Sequence, residues 1–177
     1  QQVAGAIAKA KTLMRDGRFD HAIQALDQAL KLEPASAESI NQIKAQCHYQ
    51  KGIIQHENRN YSAAIGAFTL AADLAPGNVD YRYQLGLARH MRGRIAEREA
   101  PAEAKEYFAQ ARKDFEQALA LDPKHIDAIY GLGLAASAQG DAKAAIAAFE
   151  QVVSLAPTSY DGRAAKRKLD VMKAEGQ

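Results

Sequence analysis

The chain of 177 residues has no tryptophan, one cysteine, five prolines and almost no excess of charge, and each shortage narrows what it is. The single cysteine, Cys47, excludes an internal disulfide and any cysteine-based zinc site within one chain. A net charge of +2, from 23 basic and 21 acidic residues, gives no reason to expect nucleic acid or an anionic membrane as partner. No apolar run approaches the roughly 18 residues that a membrane span needs, so no membrane insertion is expected within this chain. Nucleophile-elbow, phosphate-loop, HExxH and calcium-loop motifs are missing too. No catalytic residue, metal site or cofactor is predicted. The first residue is Gln1 rather than methionine, which points to an upstream segment absent from this sequence, and cytoplasm and periplasm both stay open.

What the chain has in abundance is alanine, 38 residues of it. Alanine is the best helix former because it loses no side-chain entropy on ordering, so an all-α protein is expected.

Four segments align when stacked: LDQALKLEP ending at Pro34, FTLAADLAP at Pro76, FEQALALDP at Pro123 and FEQVVSLAP at Pro157. Upstream of each lies a small residue, Ala10, Gly52, Gly86 or Gly133, at 24 residues from the proline in three copies and 37 in the third. A further alanine stands twelve residues before each proline (Ala22, Ala64, Ala111, Ala145), and Leu26, Phe68, Phe115 and Phe149 stand eight before. The proline ends a helix because it cannot continue the hydrogen-bond ladder. Turn residues fall between the two helices of each copy at Asp16-Gly17, Asn58-Arg59-Asn60, Arg92-Gly93 and Gln139-Gly140-Asp141.

These positions resemble the tetratricopeptide repeat, a 34-residue helix–turn–helix with an L-G pair, then A-x3-F, then proline. Leu85-Gly86 and Leu132-Gly133 supply the pair, and Ala111-x3-Phe115 and Ala145-x3-Phe149 the second motif; the family's tryptophan is replaced by Ala6, His48, Arg82 and Ile129. The resemblance implies a right-handed α-solenoid forming a single domain over 1–177. Its repeats would span about 3–36, 37–78, 79–125 and 126–158, with a capping helix over 159–175.

Two repeats exceed 34 residues. The excess in the second is ASAESINQIK, read as two extra turns at the start of its first helix with Ser36 as N-cap. The excess in the third is RIAEREAPAEAKEY, where Pro101 reads as the start of a lengthened second helix and the repeat as a longer hairpin. A tolerated insertion and a protrusion for a partner both fit it. In the final segment Ala165, Leu169 and Met172 share one face, while Arg163, Lys166, Arg167 and Lys168 fit the solvated back of a cap.

The resemblance further implies a concave groove, lined by the first helices, that holds a peptide or amphipathic helix of a partner protein. Three residues before each signature small residue stand Ile7, Tyr49, Tyr83 and Tyr130; one after stand Lys11, Ile53, Leu87 and Leu134. Four after, on the same helical face, stand Met14, His56, His90 and Ser137. Packing between first helices and contact with a partner both suit the tyrosines. Gln50 and Gln84 stand beside them where the family's carboxylate clamp would place asparagine or a basic residue, so an apolar or amphipathic segment is expected rather than an acidic tail. The expected role is thus a non-catalytic scaffold or adaptor. The alternative is a self-assembling homo-oligomer, joined through the array ends or the long hairpin.

The run GLGLAA, from Gly131 to Ala136, fits the dinucleotide fingerprint G-x-G-x-x-[GA]. That fingerprint needs a strand before it, and the preceding DPKHIDAIY is a repeat boundary running into a helix. Gly133 recurs as Gly86 and Gly52, whereas Gly131 is replaced by Gln84 and Gln50 and reads as incidental to the repeat.

Overall fold

The structure, a computed structural model, describes residues 2–175. Nine α-helices and no strand occur among the described residues. They are α1 (Gln2–Arg15), α2 (Phe19–Leu32), α3 (Ala37–Glu57), α4 (Tyr61–Leu74), α5 (Val79–Glu99), α6 (Pro101–Leu121), α7 (Ile126–Ala138), α8 (Ala142–Leu155) and α9 (Tyr160–Glu175). The chain divides after Tyr81 into two compact units, each built of helical hairpins packed on one another.

Local chemistry sets the helix limits. The turns inside the first, second and fourth hairpins each hold a left-handed residue: Gly17 at φ 71°, Arg59 at φ 60° and Gly140 at φ 76°. Each stands seventeen residues before its proline, so the turn repeats with the sequence. Asn60 and Asp141 cap α4 and α8 by accepting from the amides of Ala63 (3.4 Å) and Ala144 (3.0 Å). Nδ1 of His125 accepts from the amide of Ala128 at 3.1 Å and caps α7. Ser36 occupies the N-cap position of α3 without capping; its hydroxyl donates instead to Glu33 Oε1 at 2.8 Å.

In the first unit Ala10, Leu13, Ala22, Leu26, Ile40 and Cys47 form one core. Lys44–Asp27 at 2.6 Å and Lys51–Asp20 at 2.5 Å tie α3 to α2 at the surface. In the second unit Ile129, Ala136, Ala145, Phe149, Val152, Ala165 and Leu169 gather between α7, α8 and α9.

The glycines of the repeat work by leaving room for phenylalanine. A Cβ on Gly52 would sit 2.5 Å from the Phe68 ring, and one on Gly133 would sit 2.6 Å from Phe149. Gly131 corrects the sequence expectation that it is incidental. A Cβ there would lie 2.5 Å from the Phe115 ring, which also lies against Gly86 at 2.9 Å. Phe115 is therefore held between glycines of its own hairpin and of the next, and it is fully buried.

The third repeat departs from its predicted turn. Arg92-Gly93 is not a bend: α5 runs on to Glu99, and the chain reverses at Ala100 before Pro101 opens α6. Gly93 lies seven residues after Gly86, and Phe108 lies seven before Phe115. A Cβ on Gly93 would lie 2.7 Å from the Phe108 ring, so the insertion repeats the glycine–phenylalanine contact one heptad further along the antiparallel pair. Ala96, Ala104 and Phe108 form the buried core of this extension, with the Arg92 guanidinium 5.3 Å from the Tyr107 ring centre.

Candidate functional site

The three tyrosines at the predicted groove positions share one geometry. Each is half-buried and packs on the phenylalanine of its own hairpin: Tyr49 on Phe68 at 5.8 Å between ring centres, Tyr83 on Phe115 at 6.1 Å and Tyr130 on Phe149 at 5.6 Å. Tyr49 and Tyr83 also reach toward the start of the following first helix. Tyr49 stands 4.9 Å from Tyr81, and Tyr83 stands 5.3 Å from His125. Burial raises the Tyr49 and Tyr130 phenols above their ordinary value, with Asp80 and Asp161 adding to it. These rings are as much hairpin packing as surface.

The histidines diverge. His56 is half-buried, edge-on to Tyr61 at 5.2 Å, and its Nε2 is buried without a hydrogen-bond partner. His90 stands at a position expected to line the groove, and the structure corrects this: only 6% of its surface is exposed. It packs on Phe108 at 5.4 Å, with its Nδ1 unpartnered. Burial, with Arg94 and Lys168 nearby, pushes its pKa down to about 4. The heptad inserted into α6 brings Phe108 over it. Cys47 is fully buried and its thiol is raised to about 11 by burial, which makes it inert. No group of three or more His, Cys, Asp or Glu among the described residues is placed to hold a metal ion.

Two clefts, one in each unit, gather predicted positions. In the first unit Lys11, Met14 and Gln50 line a cleft of about 520 Å³ together with Arg15, Phe19 and Gln46. Ile7 is half-buried against the core beneath α1, and Ile53 is half-buried on α3. In the second unit Tyr130 and Ser137 line a cleft of about 440 Å³ between α7 and α9. Leu134 is half-buried against the α7–α9 core, and Gln84 and Leu87 are half-buried on α5.

The second cleft contains residues that the sequence reading had assigned to a solvated cap. These are Arg167 and Lys168, and Tyr160 and Val171 line it as well. The signal was present in the spacing: Gly133 lies ten residues after Pro123, and ten after Pro157 lies Arg167. In that register Ala164, Lys168 and Val171 match Tyr130, Leu134 and Ser137, so α9 continues the pattern of a first helix. A third cleft, of about 620 Å³, opens where the second-repeat insertion lengthens α3, between Glu38, Asn41, Gln42 and the segment Leu74–Asn78.

No described helix is long and apolar enough to cross a membrane. Family profiles described as Tetratricopeptide repeat match residues 7–55, 49–107 and 101–169. The comparison with curated proteins finds no match. Among solved structures, the chain is similar to a thermophilic TPR protein of Thermus thermophilus, at 21% identity and a TM-score of 0.60, covering 96% of this chain and 81% of that one. It is similar to the second TPR domain of human RPAP3, solved with the HSP70 peptide SGPTIEEVD, at 20% identity and a TM-score of 0.61, covering 77% and 98%. It is also similar to PcrH in complex with the chaperone binding region of PopD, at 17% identity and a TM-score of 0.63, covering 75% and 92%. The likenesses place the fold among helical-repeat solenoids. With profile matches running from residue 7 to residue 169 and the glycine–phenylalanine contacts beneath them, the chain belongs to the tetratricopeptide repeat family.

Proposed function

We propose that the protein is a non-catalytic interaction module that binds a peptide or a helical segment of a partner protein on the faces of its first helices. The observation that carries this reading is the pair of open clefts at the predicted register, each mixing aromatic or aliphatic surface with a few polar groups. Such a mixture gives area for burial and handles for orientation. The related domains solved with a peptide of HSP70 and with a segment of PopD support it.

The test is selection of random peptides on the immobilised protein, followed by fluorescence anisotropy of the winners. Met14→Arg and Ser137→Arg each place a long cation in one cleft, at a half-buried and an exposed position, and a melting curve confirms that each variant folds. At least one is expected to weaken binding about tenfold, the loss of one well-placed contact. Peptides that bind both variants as well as the parent would show that the clefts are not the site. Light scattering over a range of concentrations checks the self-assembly alternative. A module that only captures partners stays monomeric, and a mass rising with concentration would favour the alternative.

A further inference from the structure

The cleft of about 620 Å³ owes one wall to a segment that a plain helix–turn–helix repeat lacks. The second-repeat insertion lengthens α3 at its start, and Glu38, Asn41 and Gln42, spaced i, i+3, i+4, share the face that lines the cleft. The other wall is the link Leu74–Asn78 with Tyr81. That link is held in place: the Asn78 amide donates to the Ala75 carbonyl at 3.0 Å, and Asn78 Oδ1 accepts from the Tyr81 amide at 3.2 Å. The whole cleft lies within the first unit.

The side-chain charges of both walls have one sign. No Lys, Arg or His occurs in 32–43 or in 60–81, although the chain holds 23 Lys and Arg and carries a net charge of +2. The same two stretches carry Glu33, Glu38, Asp73 and Asp80. Glu38 is exposed and forms no ion pair or hydrogen bond through its side chain among the described residues. The end of α4 adds free acceptors. Pro76 has no N–H to donate to Ala72, and the Asn78 amide is turned to Ala75. The carbonyls of Ala72, Asp73 and Leu74 therefore accept no backbone hydrogen bond among the described residues, and no basic residue stands in the last turn of α4. The N-terminus of α5, which faces the same link, is already answered by Asn78 and by Asp80 in its first turn.

We propose that this cleft docks an arginine or lysine side chain of a partner polypeptide, with the cation against Glu38 and the end of α4 and the aliphatic stem along Leu74, Ala75 and Pro76. The site lies apart from the two clefts of the groove-binding reading and does not rest on it. Charge complementarity identifies the occupant: an unpaired carboxylate, amide oxygens of Asn41 and Gln42 and open carbonyls are all acceptors, which a guanidinium or ammonium can fill with several donors at once. The apolar lining suits the long stem of such a side chain, which packs on apolar surface while its charged head stays among polar groups. A bare divalent metal ion suits it less, because Glu38 is the one carboxylate in the lining and hard cations take several oxygen ligands.

The experiment is random-peptide selection on the whole chain, followed by anisotropy of the selected peptides against the parent, Glu38→Lys, Glu38→Gln and Glu97→Lys. Glu38 and Glu97 are both exposed, and Glu97 lies in the other unit and lines none of the clefts. A melting curve confirms that each variant folds. One set of selected peptides is expected to be rich in Arg and Lys, to bind Glu38→Lys about tenfold or more weakly, and to bind Glu38→Gln severalfold more weakly. The same peptides should bind Glu97→Lys as they bind the parent, weaken as salt is raised, and shift the amide signals of Asn41, Gln42 and Gly77. Peptides lost in Glu38→Lys without basic enrichment would overturn the inference, as would basic peptides that leave those three signals unmoved. Equal losses in Glu38→Lys and Glu97→Lys would reduce the effect to net charge and overturn it too. No peptide that separates Glu38→Lys from the parent would likewise overturn it, and each of these results leaves groove binding standing on its own test.

Discussion

Nη1 of Arg89 lies 2.7 Å from Oδ2 of Asp114, an ion pair in which the carboxylate is almost wholly buried and the guanidinium Nε is left without a partner. Burial outweighs the attraction of Arg89 and raises the Asp114 carboxyl to about 6. His90, one residue along α5, is shifted the other way, to about 4. The two groups have opposite linkage. Asp114 binds a proton more tightly folded than unfolded, so its contribution to stability falls as pH rises from about 4 to about 6. His90 binds one less tightly, so its contribution rises across roughly the same window.

The difference in melting temperature between variant and parent separates the two. Asp114→Asn is expected to gain on the parent as pH rises from 4 to 6. His90→Gln is expected to gain on it as pH falls from 6.5 to 4. Two flat difference curves would show that neither group titrates as the burial dictates.

Gly131→Ala places a methyl 2.5 Å from a phenylalanine ring that already lies against Gly86 on its other side. With no free direction for Phe115 to move, overpacking should destabilise the protein by about 1–3 kcal/mol. Urea unfolding measures it. A change below a few tenths of a kcal/mol would mean that the ring is not confined.

Arg59 holds a left-handed conformation at φ 60°, where the equivalent turns carry Gly17 and Gly140. Arg59→Gly relieves that strain and is expected to stabilise by about 0.5–1 kcal/mol. A lower melting temperature would show that the Arg59 side chain matters more than its backbone.

Gly162 lies in the first turn of α9, where a Cβ would sit 1.9 Å from the carbonyl oxygen of Ala156. Backbone cannot yield as a side-chain end can, so Gly162→Ala should loosen α9 from α8. Amide exchange over α9 is expected to rise while that over α1–α4 is unchanged. Protection of α9 at the parent level would contradict the contact.

Much of this was legible in the chain because the repeat writes each position several times. The prolines, the small residues and Phe68, Phe115 and Phe149 fixed the hairpins by spacing, and the left-handed turns fall at one offset from three prolines. What escaped occurs only once. Gly131 has no counterpart at Gln84 or Gln50, so only the packing of Phe115 discloses its role. Arg92-Gly93 has the chemistry of a turn, yet a whole heptad on both helices let α5 continue through it. That same heptad covers His90. In α9 the apolar face of Ala165 and Leu169 faces the core as expected. Treating everything else there as solvated back concealed the register that brings Lys168 and Val171 to the cleft.

The central claim, that partners bind on the faces of the first helices, is tested most directly by amide chemical-shift mapping of the 15N-labelled protein titrated with a selected peptide. The account predicts saturable shifts concentrated on α7 and α9 around Tyr130, Ser137, Lys168 and Val171. Shifts confined to the outer faces of α4, α6 and α8, with these residues unmoved, would contradict it.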